Sequence, residues 1–154
     1  MTMFPKLIRW DRWANRQVLD TLDASGGEPP AALAAFQHVL ETEVTWLGRF
    51  GGNPRAFVPG WQGATLDRTH ALQDEANRGL DWLTAEASPE WLASAFDYEN
   101  SRGEPFRHPR DETLMHMLMH SSQYRGEAAG VLNAAGRRVP DLDFAFWLRA
   151  GEPD

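Results

Sequence analysis

Apolar residues recur at helical spacing in three long stretches of this chain. From Phe4 to Leu22, the residues Leu7, Trp10, Ala14, Val18 and Leu22 make one stripe, with Ile8 and Leu19 beside it, while Arg9, Arg12, Arg16 and Asp20 take the solvent face. Pro5 suits the first turn of that helix. From Ala31 to Phe50, Leu33, Phe36, Leu40, Val44 and Leu47 form one stripe, and Val39, Trp46 and Phe50 form a second. A third stripe, including Ala31, Ala34, Ala35, His38, Thr42 and Thr45, is small and mildly polar. A helix wetted on so little of its surface belongs to the interior of a bundle. Thr65 or Asp67 caps a third helix that runs to about Ala85, with Leu66, His70, Leu80 and Leu83 on its stripe. A fourth helix is predicted over Asp111 to Gly136. Pro109 precedes it, Asp111 and Glu112 suit its positive end, Gly136 supplies a left-handed cap and Pro140 follows.

The connecting stretches read differently. Ser25 to Pro30 is a plain loop, whereas Gly51 to Leu66 mixes Gly and Pro with Phe57, Val58 and Trp61, as a long packed loop lining a pocket mouth does. Pro89 opens a short helix containing Trp91 and Leu92. Phe96 to His108 alternates around a Gly turn, which predicts a short hairpin or an irregular excursion before the last long helix. His70 and His108 are expected at the surface. An aromatic segment, Phe144 to Leu148, is expected to fold back over the helices, and the last residues to fray. The pattern is that of an all-α domain.

Composition narrows the chemistry. At 154 residues the chain suits one domain, 1–154, with a sizeable core. It has no cysteine, which removes disulfides, thiolate metal sites and a Cys nucleophile. A net charge of −7 argues against nucleic acid as the main partner, because phosphate binding needs a basic surface. The opening residues lack the apolar core of a signal peptide and no apolar run spans a bilayer, so the expected location is cytoplasmic, without membrane contact. There is no phosphate loop, dinucleotide fingerprint or serine nucleophile motif.

The candidate chemistry lies on the fourth helix. His116, His120 and Tyr124 each stand four residues from the last, a spacing that stacks side chains on one stripe and lets adjacent members meet a common point. Two groups so spaced are one standard way for a helix to offer two metal ligands. His38 faces a neighbour across small residues that leave room for something else. A lone His in such a place is more often a hydrogen-bonded core residue, and the histidine stripe elsewhere is what makes it a candidate. Asp11 and Asn15 flank the apolar stripe of the first helix, either as half-buried groups satisfied by backbone or as groups that orient a ligand. The stripe as a whole also reads as a buried polar network. Gly126, with Ser121, Ser122, Ala128, Ala129 and Gly130, predicts a thin helix packed closely on a neighbour, because Gly inside a helix costs about 1 kcal/mol against Ala. Arg125 predicts a buried ion pair with Glu43, Asp141 or Asp143.

Four segments together resemble the DinB/YfiT-like family, a superfamily of metal-dependent bundle proteins. Trp10-Asp11-Arg12-Trp13-Ala14-Asn15 resembles its opening aromatic–x–x–Trp–Ala–Asn helix, and His38 to Leu47 its first histidine helix, His–x4–Glu–x–x–Trp. His116 to Glu127 resembles its His–x3–His–x3–His–Arg–Gly–Gln helix, and Arg138 to Asp143 its closing Pro–x–x–Asp segment. The resemblance covers nearly the whole chain. It implies an antiparallel four-helix bundle, often a homodimer, holding a divalent transition metal such as Zn, Ni or Mn on three histidines. Two of those positions fall on His38 and His120. The third falls on Tyr124, where this sequence departs from the pattern, as it does at Glu127.

The departure changes the chemistry. A phenol ordinarily loses its proton only near pH ~10, so ligation by Tyr124 requires deprotonation by the metal. Three arrangements follow: Tyr124 ligates as a phenolate, favouring a harder ion such as Fe³⁺ or Mn²⁺; His116 substitutes for it; or the site is metal-free. His116 lies roughly 6 Å along the axis from His120, on the side away from Tyr124. The family resemblance implies an enzyme acting on a small molecule, as a thiol S-transferase or hydrolase, with Tyr124 as ligand or catalytic proton donor. The alternative is a metal-free small-molecule binding or stress-response protein.

Overall fold

Four long helices supply most of the chain, which a computed structural model describes for residues 3–61 and 63–154. They are α1 (Phe4–Ala24), α2 (Pro30–Phe50), α3 (Leu66–Glu86) and α5 (Arg110–Ala134). A short α4 (Pro89–Ala93) leads into an antiparallel hairpin, β1 (Ala95–Glu99) and β2 (Pro105–Pro109), and a short α6 (Phe144–Arg149) closes the chain. The all-α expectation therefore holds in its broad form, with the hairpin as the excursion that precedes α5.

The ends of these elements follow local chemistry. The Thr65 hydroxyl accepts from the Arg68 backbone N–H and starts α3, and the Asp143 carboxylate does the same for Ala145 at α6. Gly136 takes a left-handed φ of 75° just beyond α5, as the sequence predicts.

α2 is the interior helix. Fifteen of its 21 residues are buried, and it packs chiefly against α5 and α3, while α1 packs against α5, α3 and α2. Phe36 and Leu40 of α2, Leu80 and Leu83 of α3, and Leu114 and Leu132 of α5 are fully buried between these helices. Among the described residues no helix is long and apolar enough to cross a membrane.

Two expectations need correction. Close backbone approach occurs at Gly79 of α3, where a Cβ would sit 2.8 Å from Leu47 Cδ1, and not at Gly126 or Gly130, where it would meet nothing within 4 Å. Gly126 lies two residues, about 200° of rotation, from Tyr124, on the side of α5 away from α2. The C-terminus is also tied down. Glu152 pairs with Lys6 at 2.6 Å, and the Trp147 indole N–H donates to the Pro153 carbonyl at 2.8 Å. Trp147, Trp10 and Ala14 make a small second core that fixes the tail on α1.

Candidate functional site

α2 and α5 bring three of the predicted side chains together. The His38 ring centroid lies 5.1 Å from that of His120 and 4.7 Å from that of Tyr124, and His120 and Tyr124 are 4.6 Å apart. The i, i+4 spacing on α5 aims His120 and Tyr124 the same way, and the extensive α2–α5 packing puts His38 opposite them. His38 and Tyr124 meet edge to face, with an interplanar angle of 82°.

His116 stands apart from this trio. Its ring is 6.0 Å from that of His120 and packs at 5.5 Å against Trp46. Among the described residues no three His, Cys, Asp or Glu side chains gather as a metal ion requires. A third protein donor beside His38 and His120 would therefore be the Tyr124 phenol.

Burial sets the charge state of the imidazoles. It pushes the His120 pKa down to about 4, with help from neighbouring His38 and His116, which repel a second positive charge. His38 is lowered for the same first reason, against the opposing pull of Glu41 and Glu127, and His116 is lowered by burial. All three are held neutral, the form that carries a free lone pair for a ligand.

Asp11 and Asn15 belong to a different, adjoining network. The Arg125 guanidinium donates to Asp11 Oδ1 and to Asn15 Oδ1, each at 2.7 Å, so its ionic partner is Asp11 in place of Glu43, Asp141 or Asp143. The Asn15 amide donates to both Glu43 carboxylate oxygens at 3.0 and 3.2 Å, and the Ser121 hydroxyl donates to Glu43 Oε1 at 2.7 Å. Among the described residues no hydrogen bond joins Asp11 or Asn15 to His38 or His120. The network adjoins the site through Ser121, the neighbour of His120, and Arg125, the neighbour of Tyr124, so it sets the position of the helix and not of the imidazole.

Three residues that motif spacing did not single out complete the surroundings. The Trp61 indole stacks on His38 at 4.4 Å and 25°, Gly60 runs against the same imidazole, and the buried Glu41 carboxylate lies 3.8 Å from His38 Nδ1. The position of Glu41 one turn from His38 was the signal available in the sequence. His108, expected to be exposed, is half-buried, its Nδ1 3.0 Å from the Tyr98 hydroxyl.

The residues present fit a metal in two respects. His38 Nδ1 and His120 Nδ1 are both buried without a hydrogen-bond partner among the described residues, an arrangement that is costly unless a ligand or proton partner satisfies the ring. Two imidazoles bound tetrahedrally at roughly 2.0–2.1 Å put their centroids about 5 Å apart, and His38 and His120 stand at 5.1 Å. A cleft of about 650 Å³ runs past His116 and His120, with Met115, Met119 and Gln123 on its walls. Another, of about 690 Å³, lies between α5 and the tail, where Trp10, Arg125 and Phe144 line it, and none of the three site rings reaches it.

Comparison with curated proteins and with solved structures gave no match. The DinB family model matches residues 3–154, which takes in every helix and side chain described above, and the chain belongs to the DinB family.

Proposed function

We propose that this protein is a metal-dependent enzyme of its family acting on a small molecule, with His38 and His120 holding a divalent transition metal and Tyr124 beside them. One observation carries the reading: three rings from two helices gather within 5.1 Å of one another, and His120 among them buries an Nδ1 that has no partner among the described residues. In the same reading the four long helices form an antiparallel four-helix bundle, which holds the α2 and α5 groups rigid.

The chain's own residues divide the work. His38 and His120 are neutral near pH 7 because burial lowers both, so neither must shed a proton to bind. Tyr124 offers a hydroxyl as third donor or as proton donor to a bound group. Trp61 covers one face of His38 and keeps water from that side. A metal here would act as a Lewis acid, lowering the pKa of a bound water or thiol. That chemistry serves a thiol S-transferase or a hydrolase, and a donor set of two imidazoles and a phenol suits Mn²⁺ better than Zn²⁺.

Elemental analysis of protein purified without an affinity tag tests this. We expect about one metal ion per chain, lost in His120→Ala, with a higher melting temperature on adding Zn²⁺, Ni²⁺ or Mn²⁺. Background metal and an unmoved melting temperature would overturn it. The second reading, a metal-free small-molecule binder, draws support from the Tyr124 ring, which packs directly on both imidazoles.

A further inference from the structure

Glu41 is buried, with 1% of its surface exposed, and a carboxylate removed from water needs partners. It gathers them from three elements. Gln37 Nε2 donates to its Oε1 at 2.9 Å, and Arg68 Nη2 of α3 donates to the same oxygen at 3.3 Å. The Trp61 backbone N–H donates to Oε2 at 3.3 Å, and His38 Nδ1 lies 3.8 Å from the same oxygen. That last separation is beyond a hydrogen bond and within reach of one after a small ring movement.

The loop it holds is shaped around His38. Trp61 has φ of 62°, a conformation that side-chain-bearing residues avoid. At Gly60 an added Cβ would lie 2.9 Å from His38 Nδ1 and 3.2 Å from Glu41 Oε2, so the backbone passes where no side chain fits. The Trp61 indole then lies flat on His38 and edge-on to Tyr124 at 5.8 Å, while 55% of the residue stays exposed. Gln37 secures the far end of the same connection, its Oε1 accepting from the Thr65 N–H and the Thr69 hydroxyl, both at 3.2 Å.

We propose that Glu41 is a positioning residue for the histidine site: its carboxylate pins the Gly60–Trp61 backbone over His38 and engages the Nδ1 edge of that ring. The Nε2 edge is then the one left for a ligand, and the indole is a wall of the site that senses what binds there. As a statement about metal binding this rests on the function proposed above; as a statement about ring and loop geometry it does not.

The test separates the two. In metal-free protein, the indole N–H resonance of Trp61 is assigned by its loss in Trp61→Phe, and the His38 ring resonances by their loss in His38→Ala. Glu41→Gln and Gly60→Ala are each expected to shift both sets. Titration with Zn²⁺ or Mn²⁺ alone is expected to move the Trp61 resonance in the wild type, and both variants to bind the ion about 10–100-fold more weakly. A Glu41→Gln protein that melts lower yet keeps the Trp61 and His38 resonances unshifted has a structural Glu41 only, and overturns the proposal. If Glu41→Gln does not fold, Glu41→Asp, which draws the carboxylate back by one methylene, decides by the same resonances. A wild type that binds neither ion refutes the metal reading while the metal-free resonances still decide on Glu41.

Discussion

The Arg125 guanidinium shares its sealed space with two carboxylates, Asp11 and Glu43, and can neutralise only one. Burial, and then the Asp11 charge, raise the Glu43 pKa to about 8, against the opposing hydrogen bonds from Asn15 and Ser121 and the attraction of Arg125. The folded protein therefore keeps a proton on Glu43 that the unfolded chain releases near its usual 4.5. That contribution to stability is whole below 4.5 and is lost as pH rises through about 8. The histidines work in the opposite sense: with folded pKa values below the usual 6.5, they cost stability as pH falls under 6.5. Unfolding free energy should accordingly fall between 6.5 and 8, where only the carboxyl titrates of these groups. Denaturant titrations across that window are expected to show the decline in the wild type and a flatter profile in Glu43→Gln. At this scale the sequence was informative about which residues matter and less so about pairing. His120 and Tyr124 share a stripe as their spacing implied and His38 meets them as the family resemblance implied, whereas Arg125 chose Asp11, because a guanidinium pairs with whatever carboxylate the neighbouring helix puts at its tip.

Helix faces decide what glycine is worth. Gly79 lets α3 lie against Leu47 of α2, and adding a methyl there forces overlap with Leu47 Cδ1 and Cβ, at 2.8 and 3.0 Å. Gly79→Ala should destabilise by about 1–3 kcal/mol, as overpacking does. Gly126→Ala should stabilise by about 0.5–1 kcal/mol, since its Cβ meets open space and Gly in a helix carries an entropic cost. Opposite shifts in thermal midpoint check the pair, and a loss at Gly126 would show that a contact partner covers that face. Both glycines sit inside helical sequence and each follows an Arg, and the small residues cluster around Gly126 and not around Gly79, so the local patterns point to the wrong one. What separates them is the azimuth at which a second helix approaches, which no property of either helix alone dictates. The long loop is a similar case: its aromatic content marked it as packed, but that Gly60 and Trp61 are what lie on His38 depends on the register between α2 and α3.

At the scale of the whole molecule, two cores are tied through α1. The larger lies among α1, α2, α3 and α5, and the smaller holds Trp10, Ala14 and Trp147. Trp10 joins them, donating its indole N–H to the Leu142 carbonyl at 2.9 Å while its ring lies 4.9 Å from the Arg125 guanidinium carbon. Trp147→Ala should cost about 3–5 kcal/mol by opening a cavity in the smaller core. Loss of the Arg9 cation–π contact with that ring adds little at an exposed site. A fall in the midpoint of urea unfolding checks it, and a fall below about 1 kcal/mol would mean that the tail is not part of the cooperative unit.

The chain's own order of residues determined that there are four long helices, where each begins and ends to within two residues, that α2 is interior, and that α2 and α5 carry the ring-bearing groups. These follow from local periodicity and capping, which act within a few residues. Tertiary structure alone decided that Asp11 takes Arg125, that Glu41 and Trp61 frame His38, that Gly79 and not Gly126 is the point of close approach, and that the C-terminus is fastened to α1. Each depends on the relative rotation and register of elements distant in sequence, and many such arrangements bury a given set of apolar stripes about equally well.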